Sequence, residues 1–119
     1  MRILLIDNDL ELLDEMSQII LNMDPMHDIT ICHSSFEALQ KFRKNKYDIV
    51  ITEVYLQGGI PGNELIESAP KKSFKVGMAE VLENPQIRGP FNRFLLKPIK
   101  EKALKETLVN AKYNKQYVI

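Results

Sequence analysis

The sequence has no tryptophan and a single cysteine, Cys32, so it can form neither a disulfide framework nor a thiolate metal cluster. It has no net charge either. Sixteen basic and sixteen acidic side chains cancel, with no sign of the cationic surface that binds nucleic acid or an anionic membrane. No apolar run approaches the roughly 18 residues needed to span a bilayer. Asp7 and Asp9 interrupt the first apolar stretch at once, so there is no signal-peptide pattern. Repeats, low-complexity tracts and linkers are missing as well. These absences point to a cytoplasmic chain with no membrane or nucleic-acid partner.

What is present is an ordinary globular composition, 45% apolar and 27% charged over 119 residues. That length implies one domain, 1–119, large enough to bury roughly two-thirds of its unfolded surface. The segment Asp48-Ile49-Val50-Ile51-Thr52-Glu53 organises it. Consecutive apolar and β-branched residues running into one carboxylate read as a buried central strand. Arg2 to Asp7 is a similar run ending in Asp7-Asn8-Asp9, and Phe94-Leu95-Leu96 ends in Lys97-Pro98. In an open α/β sheet, ligands lie outside the carboxyl ends of the strands. Asp7, Asn8, Glu53 and Lys97 are therefore expected at one edge.

Apolar residues from Leu10 to Met23 recur at helical spacing, predicting a helix over about 9–22 that Asp24-Pro25 ends. A short strand follows at 27–32. Ser34 or Ser35 caps a helix through Phe36, Leu39 and Phe42. Strand three covers 47–53, Gln57 to Gly62 a loop, Asn63 to Ala69 a short helix, and Phe74 to Met78 strand four. Pro85, Gly89 and Pro90 leave 80–92 room for one or two helical turns at best, since an interior proline costs about 3 kcal/mol. Strand five is at 93–96. The last helix turns Ile99, Ala103, Leu104, Leu108 and Ala111 inward. The expected fold is a flavodoxin-like (βα)5 doubly wound α/β sandwich with a five-stranded parallel sheet, order 2-1-3-4-5. Its fourth helix is shortened or irregular.

These pieces, in order and at family spacing over nearly the whole chain, resemble the receiver domains of two-component response regulators. Ile3 to Asp9 resembles the first strand and acidic pair, which falls on Asp7 and Asn8. "YDIVITEVYL", Tyr47 to Leu56, resembles the third strand, with Glu53 in place of the phosphorylated aspartate. Gly62 resembles the glycine of the next loop. "FLLKP" at 94–98 resembles the fifth strand, with the switch aromatic at Phe94 and the lysine at Lys97. The resemblance implies a site in which acids and the acceptor aspartate hold Mg²⁺. A hydroxyl after strand four and the lysine then bind the phosphoryl group.

This sequence departs from that pattern at the reactive positions. Asn8 replaces one acid, Glu53 the acceptor and Met78 the hydroxyl residue, followed by Ala79. The aromatic Phe94, which has no hydroxyl, is expected to pack inward beside Met78. A glutamate carries its carboxylate one methylene further out, and about 1 Å of misplacement can cost 10²-fold in an in-line transfer. Mg²⁺ is then absent or held weakly by Asp7 and Glu53. The resulting reading is a non-enzymatic pseudo-receiver that takes part in two-component or phosphorelay signalling by phosphorylation-independent protein contact. The chain as given carries no output domain. The partner, a kinase, an output protein or a second copy forming a homodimer, is expected on the 81–92 loop and the last helix, through residues such as Arg88, Phe91, Lys102 and Lys105. Two alternatives stand beside this reading. In the first, the receiver is still phosphorylated, or mimics phosphorylation, at Glu53. A Glu53 carboxylate bonded to Lys97 would support mimicry, and one turned away a silent site. The second is a haloacid-dehalogenase-like phosphatase using Asp7 and Asp9, with Thr52 and Lys97 as its further motifs. His27 and His33 lack a ligand pattern, and the loop Gly58-Gly59-Ile60-Pro61-Gly62 lacks the Lys-Ser/Thr of a phosphate cradle.

Overall fold

The structure, a computed structural model, describes residues 1–80 and 90–117, with side chains to residue 113. Its elements are β1 (Arg2–Ile6), α1 (Leu10–Met23), β2 (Asp28–Cys32), α2 (Ser35–Lys44) and β3 (Ile49–Glu53). They continue with α3 (Gly62–Leu65), β4 (Phe74–Ala79), β5 (Arg93–Leu96) and α4 (Glu101–Tyr117). The five strands form one parallel sheet, as the alternation of strand and helix patterns predicts, in the expected flavodoxin-like order β2-β1-β3-β4-β5. The expected irregular fourth helix falls largely on 81–89, outside the described residues, and so does Arg88.

The period of two along each strand divides the core into two layers. Ile3, Leu5, Ile49, Ile51, Val76, Met78 and Leu95 face α1 and α4, meeting Leu13, Met16, Ile20, Leu104 and Leu108. Leu4, Ile6 and Val50 face the other way, onto Ala38, Leu65 and Ile66. Capping also follows the sequence. Asp9 accepts the Leu12 N–H at 3.2 Å to open α1, and of the two candidate serines it is Ser34 that accepts the Glu37 N–H, at 3.2 Å, to open α2.

Four local expectations need correction. β1 ends at Ile6, and Asp7 continues only as a backbone donor to the Cys32 carbonyl at 3.1 Å. The third helix begins at Gly62 and lasts one turn before tightening to a 3₁₀ turn, Ile66–Ser68, so Gly62 belongs to the helix and not to the preceding loop. The last helix starts at Glu101, two residues after Ile99. Phe94 does not pack beside Met78. It lies opposite Gly77 in the β4–β5 register, on the other face of the sheet, with Val54 and Phe91. A strand residue one step out of phase with Met78 has no other choice.

Gly62 holds the start of α3 against the end of β3. A Cβ there would lie 1.9 Å from the Glu53 carbonyl oxygen, while the Gly62 N–H donates to the Val54 carbonyl at 2.9 Å. The clash is with backbone, which cannot move aside as a side chain can. Gly62→Ala is therefore expected to lower the unfolding free energy by about 2 kcal/mol, within the overpacking range. Denaturant titration of the two proteins measures it.

Candidate functional site

Asp7, Glu53 and Lys97 converge because each continues the same face of its strand. Asp7 follows Ile3 and Leu5, Glu53 follows Ile49 and Ile51, and Lys97 follows Leu95, all of which belong to the layer under α1 and α4. The side chains thus meet just above that layer, at the carboxyl edge of the sheet. The Lys97 ammonium donates to Asp7 Oδ2 at 2.7 Å and to Glu53 Oε2 at 2.5 Å. Neither oxygen has another hydrogen-bond partner among the described residues. The second oxygens are held by backbone. Asp7 Oδ1 accepts the Asp9 N–H at 2.9 Å, and Glu53 Oε1 accepts the Tyr55 N–H at 3.3 Å. Burial by itself lowers the pKa of Lys97, but the hydrogen bonds and charges of Asp7 and Glu53 outweigh it and raise the value above the ordinary 10.5. The Lys97 N–H donates to the Ala79 carbonyl at 2.9 Å, and the Lys97–Pro98 peptide is cis.

Asn8 is not part of this cluster. Its Nδ2 donates to the carbonyls of His33 at 3.0 Å and Gln57 at 3.2 Å, and its Oδ1 accepts the Gln57 N–H at 2.7 Å. One amide thereby ties together the loops after β1, β2 and β3. Sequence reasoning missed Gln57 and this role, although an amide in place of a carboxylate was itself a signal. An amide nitrogen needs acceptors, and the His33 and Gln57 carbonyls supply them. Met78 lies opposite Glu53 in the β3–β4 register and is fully buried in the core layer, so no hydroxyl stands there. Phe94 is half-buried, its ring 5.0 Å from that of Phe91. The Asp9 side chain is spent on its helix cap, and buried Thr52 donates to the Glu53 carbonyl at 3.2 Å. The histidines lie elsewhere in function: His27 is 3.1 Å from the terminal amine, and His33 pairs with Glu37 at 3.2 Å.

The donor set does not fit Mg²⁺. The inner oxygens of Asp7 and Glu53 are taken by an ammonium, and the Asn8 oxygen by an N–H. Among the described residues no group of three carboxylate, imidazole or thiol side chains could hold a metal ion.

This frame matches solved structures closely. The signal receiver domain of an HD domain-containing protein from Pseudomonas fluorescens superposes with a TM-score of 0.84 at 21% identity, covering 97% of this chain and 96% of that one. The N-terminal domain of a response regulator/sensory box/GGDEF protein from Carboxydothermus hydrogenoformans gives 0.88 at 15% identity, with all of both chains covered. A response regulator receiver domain protein from Methanospirillum hungatei gives 0.86 at 20%, covering 97% and 95%. The chain has the receiver fold. No protein-family model and no curated protein sequence matches it. Within the receiver fold, the edge that carries Asp7, Glu53 and Lys97 is the carboxyl edge of β1 and β3 together with the loop after β5. No helix among the described residues is long and apolar enough to cross a membrane.

A buried cation shared by two carboxylates should dominate the stability of this edge. Lys97→Met leaves two buried negative charges facing each other, and removing one partner from such a set costs about 3 kcal/mol or more. Because the folded state raises the Lys97 pKa, the contribution is complete below pH 10.5 and is lost as pH rises through the folded value. Cys32, pushed up to about 11 by burial, and Tyr47, also raised, destabilise the fold at alkaline pH in both proteins. The difference between wild type and Lys97→Met isolates the lysine. It should stay constant from neutral pH up to 10.5 and shrink above it, as read from denaturant titrations across pH.

Proposed function

We propose that this protein is a pseudo-receiver, a receiver domain that acts in two-component signalling by protein contact and without a phosphorylation cycle. The observation that carries this reading is the closed Asp7–Lys97–Glu53 cluster. In the receivers that the chain resembles, the lysine pairs with the incoming phosphoryl group and a hydroxyl follows it. Here the lysine is already held by Glu53, a carboxylate that needs no kinase. Met78 in the hydroxyl position is sealed in the core, so no second arm can respond. Glu53 thus reproduces one half of a phosphorylated site permanently and lacks the other half. The domain is held in one state.

The phosphatase reading loses its parts in the same geometry. Asp7 is spent on Lys97 and the Asp9 N–H, Asp9 on the α1 cap, and Thr52 on the Glu53 carbonyl. Incubation with acetyl phosphate and Mg²⁺ should leave the intact mass unchanged. A gain of one phosphoryl group that disappears in Glu53→Gln would mean that the site still works.

A domain fixed in one state signals through a static surface. Phe91 is half-buried against Phe94, which makes it part of the fold more than a free anchor. The exposed outer face of α4 remains, where Lys102, Lys105 and Val109 line a shallow groove and Lys105 pairs with Glu101 at 3.1 Å. We place the partner there. In co-precipitation from the native host, Val109→Glu with Lys102→Glu should release the partner. Glu53→Ala should change its affinity by less than about 1 kcal/mol, because Glu53 does not line that groove. The opposite pattern would restore a switch at Glu53.

A further inference from the structure

The zero net charge of the chain conceals a segregation. Parallel strands carry the N-terminal ends of all five strands to one edge, opposite Asp7 and Glu53. At that edge a cleft of about 410 Å³ lies between the start of β1, the α2–β3 loop and the α3–β4 loop. Arg2, Lys46, Lys71 and Lys72 line it, against the single carboxylate Asp48, one of whose oxygens accepts the Arg2 N–H at 2.7 Å. The last turn of α2, which leads into the cleft, adds Lys41, Arg43 and Lys44. We propose that this basic cleft is a second interaction site, which binds an extended, carboxylate-rich segment of a partner protein.

The chemistry of the cleft selects that class of ligand. Lys46, Lys71 and Lys72 are exposed and have no side-chain ion pair among the described residues, so their charge is open to an incoming ligand. Arg2 is already committed. Its guanidinium lies 5.6 Å from the Tyr47 ring centroid, donates to Asn45 Oδ1 at 3.0 Å and pairs with Asp28 at 3.6 Å. The planar fork that would grip a phosphate in two places is therefore spent. The Tyr47 ring is 4% exposed, so a nucleotide base has no aromatic face to stack on. Flexible lysines along an open cleft suit several separate carboxylates, each contributing modestly and with strong dependence on salt. The site is distinct from the α4 surface and from the Asp7–Glu53–Lys97 edge.

A labelled oligoglutamate peptide titrated with the full chain, followed by fluorescence anisotropy, tests the proposal. Binding should be clear at about 0.01 M ionic strength and at least ten-fold weaker at about 0.15 M, where screening is stronger. Lys71→Glu combined with Lys72→Glu should weaken it at least about ten-fold, because both side chains are exposed and reversal turns attraction into repulsion. Lys100→Glu combined with Lys102→Glu, both exposed and away from the cleft, makes the same change of net charge and should weaken binding far less. Circular dichroism confirms that each variant is folded. Three outcomes overturn the proposal: no peptide binding at low salt, undiminished binding by the Lys71/Lys72 variant, or displacement of the peptide by inorganic triphosphate at lower concentration than by free oligoglutamate. A fourth is salt-sensitive self-association by sedimentation that the Lys71/Lys72 variant abolishes, which would make the acidic edge of a second copy the occupant.

Discussion

Two carboxylates at the ends of neighbouring buried strands repel one another unless a cation lies between them, and in this protein the cation is Lys97. The cost of desolvating three charged groups is met only when the geometry is close and the remaining lone pairs are satisfied. Both conditions hold. The ammonium lies 2.7 and 2.5 Å from its two partners, and backbone N–H groups of Asp9 and Tyr55 take the outer oxygens. The loop after β5 is drawn to the ends of β1 and β3 by this contact. It ties the carboxyl ends of β1 and β3 to the residue that follows the edge strand β5.

The side chains around this contact form a consistent set. Buried Met78, opposite Glu53, extends the core layer of Val76 and Leu95. The Asn8 amide can both donate and accept, and it uses that capacity to bind three loops together. Gly62 belongs to the same economy of space, since α3 can approach the Glu53 carbonyl only where no Cβ intervenes.

Parallel topology also sorts charge. Every strand delivers its final residues to one edge and collects its first residues from the other, so Asp7 and Glu53 reach one edge while Lys46, Lys71 and Lys72 gather at the other. Lys46, Lys71 and Lys72 come from two separate connections, yet they line one cleft because both connections enter neighbouring strands, β3 and β4, from the same side. The balance of sixteen against sixteen says nothing about this arrangement.

Most of the fold was legible in the order of residues, because period-two and helical patterns alternate with clear stops. The succession of strands and helices, the serine cap of α2 and the inward face of the last helix follow from local rules that act within a few residues. The meeting of Asp7, Glu53 and Lys97 was legible too, as three polar residues ending apolar runs in a parallel sheet. Other features depend on distances between segments far apart in sequence. The side of the sheet taken by Phe94 is decided by its register opposite Gly77, not by its nearness to Met78. The direction of the Asn8 amide is decided by carbonyls 25 and 49 residues away. Sequence alone therefore determined which side chains reach the edge. Tertiary structure decided which of them touch, since a hydrogen bond is made or missed within a few tenths of an ångström, and no local pattern specifies that.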